Sequence, residues 1–376
     1  MTKLDAETWI AGWTQAVTDI GQAPEVSDVT MRIQVRLTLA GSAIRFVLSN
    51  RLGTAPILIG EAAAVFADRS APVSFDGRPW GEIPPGGELT SDALATDEND
   101  GRDVVIDVYL PEATTLSTGN IAGAAWSPSD AGNHVGDPVD APVVTPSVTA
   151  PDGTSFTRPT PLLRAVEILS HDVTAVVACL GDSITAAGWP ERASALLTHK
   201  KVVLLNRGIS GNRLRRDGAG PAGSFFGRSG LERFTSDVLG TSGVTHAVLA
   251  LGTNDLGHPG TPAAPTETVP SAEDLINALD VLVNRCVAAD VVPILATITP
   301  FLPADGYDAD RERTRHEVNG WIRAVSPPAR FLDFDLALRS SSDPSRLADE
   351  FDSGDHLHPN GAGQSRLAEA CVALFA

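Results

Sequence analysis

Two short segments of the second half of the chain carry residue types that can cleave an acyl bond. One is Gly181-Asp182-Ser183-Ile184-Thr185, the other Asp352-Ser353-Gly354-Asp355-His356-Leu357-His358-Pro359-Asn360. A serine hydroxyl attacks a carbonyl carbon only when a base takes its proton. Ser183 is the candidate nucleophile and His358 the candidate base. Asp355, three residues before His358, is close enough in a tight loop to accept the ring's other N–H and hold the useful tautomer. The same loop admits a rival chemistry, because His356 and His358 with Asp352 and Asp355 form a His-x-His pair beside acids, as in zinc sites. The serine reading already accounts for Asp355 and His358 and is preferred. It leaves His356 as a neighbour that lines the pocket and calls for no metal and no organic cofactor.

These residues need a scaffold, and the periodicity of the chain supplies one. Val173–Leu180, Val202–Leu205, His246–Leu251 and Val291–Ile298 are short, nearly all-apolar runs, as expected for parallel strands covered on both faces. Helical patterns separate them. The best is Ser271–Ala289, with Ser271 as N-cap, Glu273 and Asp274 in the first turn, and Leu275, Leu279, Leu282 and Cys286 on one face. A last helix is expected over Gly363–Phe375. Strands alternating with helices predict a doubly wound α/β domain, whose sites form at the carboxyl ends of the strands. The chemistry-bearing segments fall there. The first run leads into Gly181-Asp182-Ser183, the second into Asn206-Arg207-Gly208-Ile209-Ser210-Gly211-Asn212, and the third into Gly252-Thr253-Asn254-Asp255. No G-x-S-x-G elbow of the α/β-hydrolase kind is evident.

These four segments, in this order, closely resemble the four sequence blocks of the SGNH (GDSL-like) hydrolase family, over residues 173–376. Any one of them alone would be an ordinary turn. The first block reads GDSI here in place of GDSL, a conservative change. The resemblance implies an SGNH-type parallel sheet with helices on both faces. It also implies an oxyanion hole made by the Ser183 backbone N–H, the Gly211 backbone N–H and the Asn254 side-chain amide. Those types suit the task, since glycine lets the main chain approach a substrate and an amide donates without adding charge.

The first half of the chain has a different period. Met31, Ile33, Val35, Leu37 and Leu39 alternate with polar residues, Ile44, Phe46 and Leu48 resume the pattern, and Val104, Ile106, Val108 and Leu110 alternate with Val105, Asp107 and Tyr109. Asp76-Gly77 and Pro84-Pro85-Gly86-Gly87 punctuate it with turns. Residues 127–162 read as a long connection with one more strand, and Arg164–Leu169 as a buried closing strand. The expectation is an all-β sandwich or jelly roll over 1–170, of packing or substrate-contacting role, ahead of a catalytic domain over 171–376. Trp9-Ile-Ala-Gly-Trp13, Ile44–Gly53 and Gly132-Asn133-His134 resemble the β-sandwich of a two-domain SGNH subset.

Composition narrows the partners. The 376 residues carry a formal charge of −19, with a pI near 4.7. Such a surface repels phosphate backbones and anionic bilayers, so neither nucleic acid nor membrane is an expected partner, and a small-molecule ester is. Cys179, Cys286 and Cys371 each lie in an apolar run and read as small buried hydrophobes of a reducing compartment. The start, Met1-Thr-Lys-Leu-Asp-Ala-Glu-Thr-Trp, has no apolar signal core, so a cytoplasmic location is expected. His134, His171, His199, His246, His258 and His316 read as surface or satisfied core residues. Gly218-Ala-Gly220-Pro-Ala-Gly223 matches the dinucleotide pattern G-x-G-x-x-G only formally, lying a dozen residues past its strand, and reads as a loop. Arg213, Arg215 and Arg216 beside it are solvated charge or, alternatively, recognise an acidic group of the substrate.

The reading is therefore a serine-dependent carboxylic-ester hydrolase acting through an acyl-enzyme. Acetyl or other short esters of a sugar or small metabolite are favoured, because no amphipathic lid is visible. Two rivals stand beside it. One is an acyltransferase or thioesterase with the same groups, the other a binding protein with a vestigial triad.

Overall fold

The computed structural model describes residues 7–20, 25–97, 102–138, 142–149 and 155–375. Residues 1–6 of the start read above, and 139–141 and 150–154 of the Pro-rich connection, lie outside the described residues. The chain divides into two compact units between Asp172 and Val173.

The first unit is all-β and built on two five-stranded antiparallel sheets. In one, Leu163–Ser170 lies between Thr8–Thr14 and Ala43–Ser49. In the other, Asp103–Leu110 lies between Val29–Arg36 and Glu61–Val65, and Ala125–Ala131 pairs with the far side of Val29–Arg36. That last strand occupies the start of the segment read as a connection. The alternating residues Ile33, Val35, Ile106 and Val108 are fully buried, as their period of two requires. Asp107 departs from the pattern. It stands on the polar side of its strand yet is 0% exposed. Segment 132–138 covers it: the Gly136 N–H donates to Asp107 Oδ2 at 3.0 Å, and Arg32 lies 3.3 Å from its other oxygen. Arg32 also donates to the carbonyls of His134 and Asp137, tying the cover down. Burial pushes the Asp107 carboxyl up to about 6.

The second unit is a five-stranded parallel sheet in the order Val202–Gly208, Ala175–Gly181, His246–Ala250, Val292–Ala296, Arg330–Leu332. Its helices lie on both faces. Ala178, Leu180 and Leu249 pack with Leu275, Leu279, Leu282 and Cys286 of the helix Ala272–Ala288. Val177, Cys179 and Val248 face the other way, toward Trp189, Leu197, Leu367 and Cys371. Each fully buried leucine contributes roughly 1.5–3 kcal/mol of apolar transfer. Ser271 caps its helix in a capping box with Asp274. The last helix begins at Gly361, two residues before the expected start, because the Asn360 side chain accepts from the Ala362 and Gly363 amides. All three cysteines are free and buried.

Chain order reverses between the first and third strands of this sheet, Ala175–Gly181 and His246–Ala250, which are neighbours. Such a switch point opens a crevice at the carboxyl ends of the two strands. Ser183 follows the first of them and Asn254 the second.

Candidate functional site

The strand Ala175–Gly181 runs straight into the one-turn helix Ser183–Ala186. Asp182 caps that turn, its Oδ1 accepting from the Ile184 amide at 3.0 Å, and this fixes Ser183 at the first helical position, half-buried. A first-turn amide has no partner inside its own helix.

Loop 352–360 supplies the opposite wall. Asp352 and Asp355 each close a tight turn on the amides that follow. Asp352 Oδ1 accepts from Gly354 and His356, and Asp355 Oδ1 from Leu357 and His358. Each aspartate then meets a histidine Nδ1 at 2.6 Å, Asp352 with His356 and Asp355 with His358. The two pairs are separate. Among the described residues, no group of three or more His, Cys, Asp or Glu side chains could hold a metal ion. His358 Nε2 lies 2.9 Å from Ser183 Oγ. A carboxylate only accepts, so the proton sits on His358 Nδ1 and the Nε2 lone pair faces the serine hydroxyl. Partial burial alone would raise the Asp355 carboxyl. The amides of His358 and Leu357 and the His358 ring outweigh it and hold the group well below the usual carboxylate range. Gln364 of the last helix donates to the Ile184 carbonyl at 3.2 Å, binding the turn of Ser183 to the helix that follows loop 352–360.

The second strand leads into the turn Ile209–Asn212, closed by the Asn212 amide on the Ile209 carbonyl. Gly211 has φ +74, and a Cβ there would sit 2.1 Å from Phe226 Cδ1. Only glycine fits this conformation and this contact. Asn254, buried in the short helix Thr253–Gly257, donates from Nδ2 to the Asn212 carbonyl at 3.0 Å. Ser183, Gly211 and Asn254 thus stand after three adjacent strands, and the Asn254 amide is tied to the Gly211 loop.

The family model for GDSL-like lipases and acylhydrolases matches residues 179–366, half of the chain. The chain belongs to this family. It is a hydrolase of the GDSL-like class, with an all-β unit of antiparallel strands preceding the matched domain. Solved structures similar to it include a GDSL-like lipase from Bacteroides thetaiotaomicron VPI-5482, 19% identical, covering 53% of this chain and 86% of that one at a TM-score of 0.41. An acetylxylan esterase from Geobacillus stearothermophilus is 20% identical, covering 54% of this chain and 94% of that one at a TM-score of 0.41. No curated protein matches the sequence.

Several polar residues of this GDSL-like domain had no sequence signal strong enough to mark them. Asp182 and Asp255 are almost wholly buried, and burial pushes each carboxyl up to about 6. Asp255 accepts the amides of Leu214 and Arg215. Asn212 and Arg233 are buried between the strand ends and joined by a 3.0 Å hydrogen bond. The arginines of the 213–216 segment are engaged within the protein. Arg213 is buried with both terminal nitrogens on Glu267, Arg215 bonds Asp274, and Arg216 pairs with Glu267. His246 bonds Thr245 Oγ1 and packs edge-on against Phe375, a satisfied core histidine. His258 differs, with a buried Nδ1 that has no hydrogen-bond partner among the described residues and a ring 5.0 Å from Phe226. Burial pushes its imidazole down to about 4.

Proposed function

We propose that the protein is a carboxylic-ester hydrolase in which Ser183, His358 and Asp355 act as a triad through an acyl-enzyme. The reading rests above all on the hydrogen-bonded chain from Ser183 Oγ through His358 to Asp355, at 2.9 and 2.6 Å. In the first half-reaction Ser183 Oγ bonds to the acyl carbon as its proton passes to His358 Nε2. Asp355 steadies the imidazolium. The carbonyl oxygen takes up the negative charge and is met by the amides of Ser183 and Gly211 and the side chain of Asn254. Collapse breaks the bond to the alcohol, which leaves with the proton from His358. A water then repeats the sequence on the acyl-serine, giving the acid and restoring the hydroxyl. No step needs a metal or an organic cofactor.

Short acyl groups, acetyl first, on a sugar or small metabolite are the proposed substrates. The Phe226 ring packed against Gly211 favours them, because it fills the space beside one oxyanion donor. Hydrolysis of p-nitrophenyl esters from acetate to octanoate, with acetylated sugars alongside, tests this. The expected result is preference for acetate and its loss in Ser183→Ala. Undiminished turnover by Ser183→Ala would sink the mechanism, and preference for octanoate the substrate class. Competing alcohols in the same assay distinguish hydrolysis from acyl transfer.

A further inference from the structure

We infer that Asn212 and Arg233 are positioning residues for the oxyanion pocket, a buried strut that aims the Asn254 amide and fixes the loops carrying Ser183 and Gly211. The inference rests on the oxyanion role proposed above.

Arg233 spends its guanidinium on the strand ends. Nη2 donates to the Gly181 carbonyl at 2.8 Å, two residues before Ser183. Nη1 donates to the Arg207 carbonyl at 2.8 Å, on the strand that leads to Gly211. Nε donates to Asn212 Oδ1 at 3.0 Å. The charge is balanced by Asp237, whose Oδ2 accepts from Nη1 at 2.9 Å. Asn212 passes the constraint on. Its Nδ2 donates at 2.8 Å to both the Phe226 and Arg228 carbonyls, seating the ring that lies against Gly211. Its own carbonyl accepts from Asn254 Nδ2 at 3.0 Å. An amide nitrogen carries two hydrogens. With one held by Asn212, the orientation of the other is fixed before any substrate arrives, which is what electrostatic preorganisation requires.

A buried ion pair is a weak source of stability, because desolvation cancels much of the attraction. Arg233 is 5% exposed and Asn212 0%. What the guanidinium adds is geometry: a planar fork with five N–H donors reaches four acceptors at once, two strand carbonyls, Asn212 and Asp237, whereas a lysine ammonium has three donors at a single point. Replacement by lysine keeps a charge opposite Asp237 and loses the fork, so it should cost transition-state binding more than folding.

Arg233→Lys and Asn212→Ser are compared with wild type on p-nitrophenyl acetate, with melting midpoints from the same preparations and inhibition by a small alkylboronic acid, which forms a tetrahedral adduct on serine. The expected result for each is a fall in kcat of about tenfold or more, KM changed less than about twofold, and boronate affinity falling with kcat. In an Asn254→Ala background the further loss should be clearly smaller than in wild type, since the part that acts through that donor is already gone. A lower melting midpoint with normal kcat per folded molecule overturns the inference, and so does an effect that multiplies in full with Asn254→Ala. Normal kcat in Asn254→Ala alone overturns the oxyanion reading beneath it, a different signature. Should Arg233→Lys not fold, Asn212→Ser carries the same readouts.

Discussion

Loop 352–360 contains two aspartate–histidine pairs that are nearly identical as local structures and opposite in what they can do. Asp352–His356 and Asp355–His358 have the same 2.6 Å bond from carboxylate to Nδ1, and each aspartate also holds backbone amides. In both, partial burial is outweighed by those donors, so both carboxyls lie below their ordinary range. The difference is at the far nitrogen, where His358 meets Ser183 Oγ at 2.9 Å. His356 instead holds a left-handed backbone, φ 64, which a non-glycine residue adopts at a cost. Pairing an aspartate with a histidine therefore does not make a base. The Asp352 pair shapes the loop, whereas the Asp355 pair reaches a serine hydroxyl.

The largest effects should separate the pairs. His358→Ala should remove about 10⁴-fold or more of kcat, as should Ser183→Ala, with the double variant little worse than either. His356→Ala should keep kcat within about tenfold and lose mainly melting temperature, since its partner shapes the turn. Normal turnover in His358→Ala beside loss in His356→Ala would exchange the two roles. Asp355→Asn comes next, at about 10²–10⁴ in kcat, because an amide can present a donor to Nδ1 and favour the wrong tautomer. Asp352→Asn should act on stability. Asn254→Ala should lower kcat by about 10²–10³ with KM changed far less, and equal kcat per folded molecule would make Asn254 a structural residue.

The smallest effect in rate is expected at a third carboxyl, and it sharpens the contrast by its pH dependence. Asp182 lies under the site, fully enclosed, and burial pushes it up to about 6 from an ordinary 3.8. Its folded value is above its unfolded one, so the folded state binds the extra proton between those values. Stability then falls as pH rises from about 4 to about 6 and stays lowered above that. Asp182→Asn keeps a capping oxygen for Ile184 and removes the buried charge. It should raise unfolding free energy by on the order of 3 kcal/mol at pH 8, a gain that disappears near pH 4. Asp355 has the opposite sign, its contribution present above the unfolded value and lost as pH falls through the folded one. Denaturant titrations at several pH values check both, and a gain for Asp182→Asn that does not change with pH would contradict the first.

The comparison also explains how much of the molecule was legible in its sequence. Apolar runs marked four of the five parallel strands. The fifth, Arg330–Leu332, is three residues long with only Leu332 buried, too little for a pattern. The helix Ala309–Arg323 was invisible for another reason. Much of its buried face is polar: Glu312, Arg315 and Asn319 are enclosed, and Arg315 bonds Glu312, Asp335 and the Ile298 carbonyl. Apolar periodicity cannot detect a face satisfied by hydrogen bonds. Asp107 and the Asn212–Arg233 pair are the same case, polar residues made internal by partners distant in sequence. Ser183, Asp355 and His358 stood out because four segments occur together in a fixed order, and the structure brings these three side chains into one hydrogen-bonded chain.

The proposal of Ser183 as nucleophile and His358 as its base is tested by inactivation with a serine-directed sulfonyl fluoride, followed by peptide mass spectrometry of the whole chain. The expected result is one adduct per chain at Ser183, activity falling in step with it, EDTA without effect on the rate, and slow labelling in His358→Ala. Activity lost with the adduct on another residue, or retained with Ser183 fully modified, would contradict it.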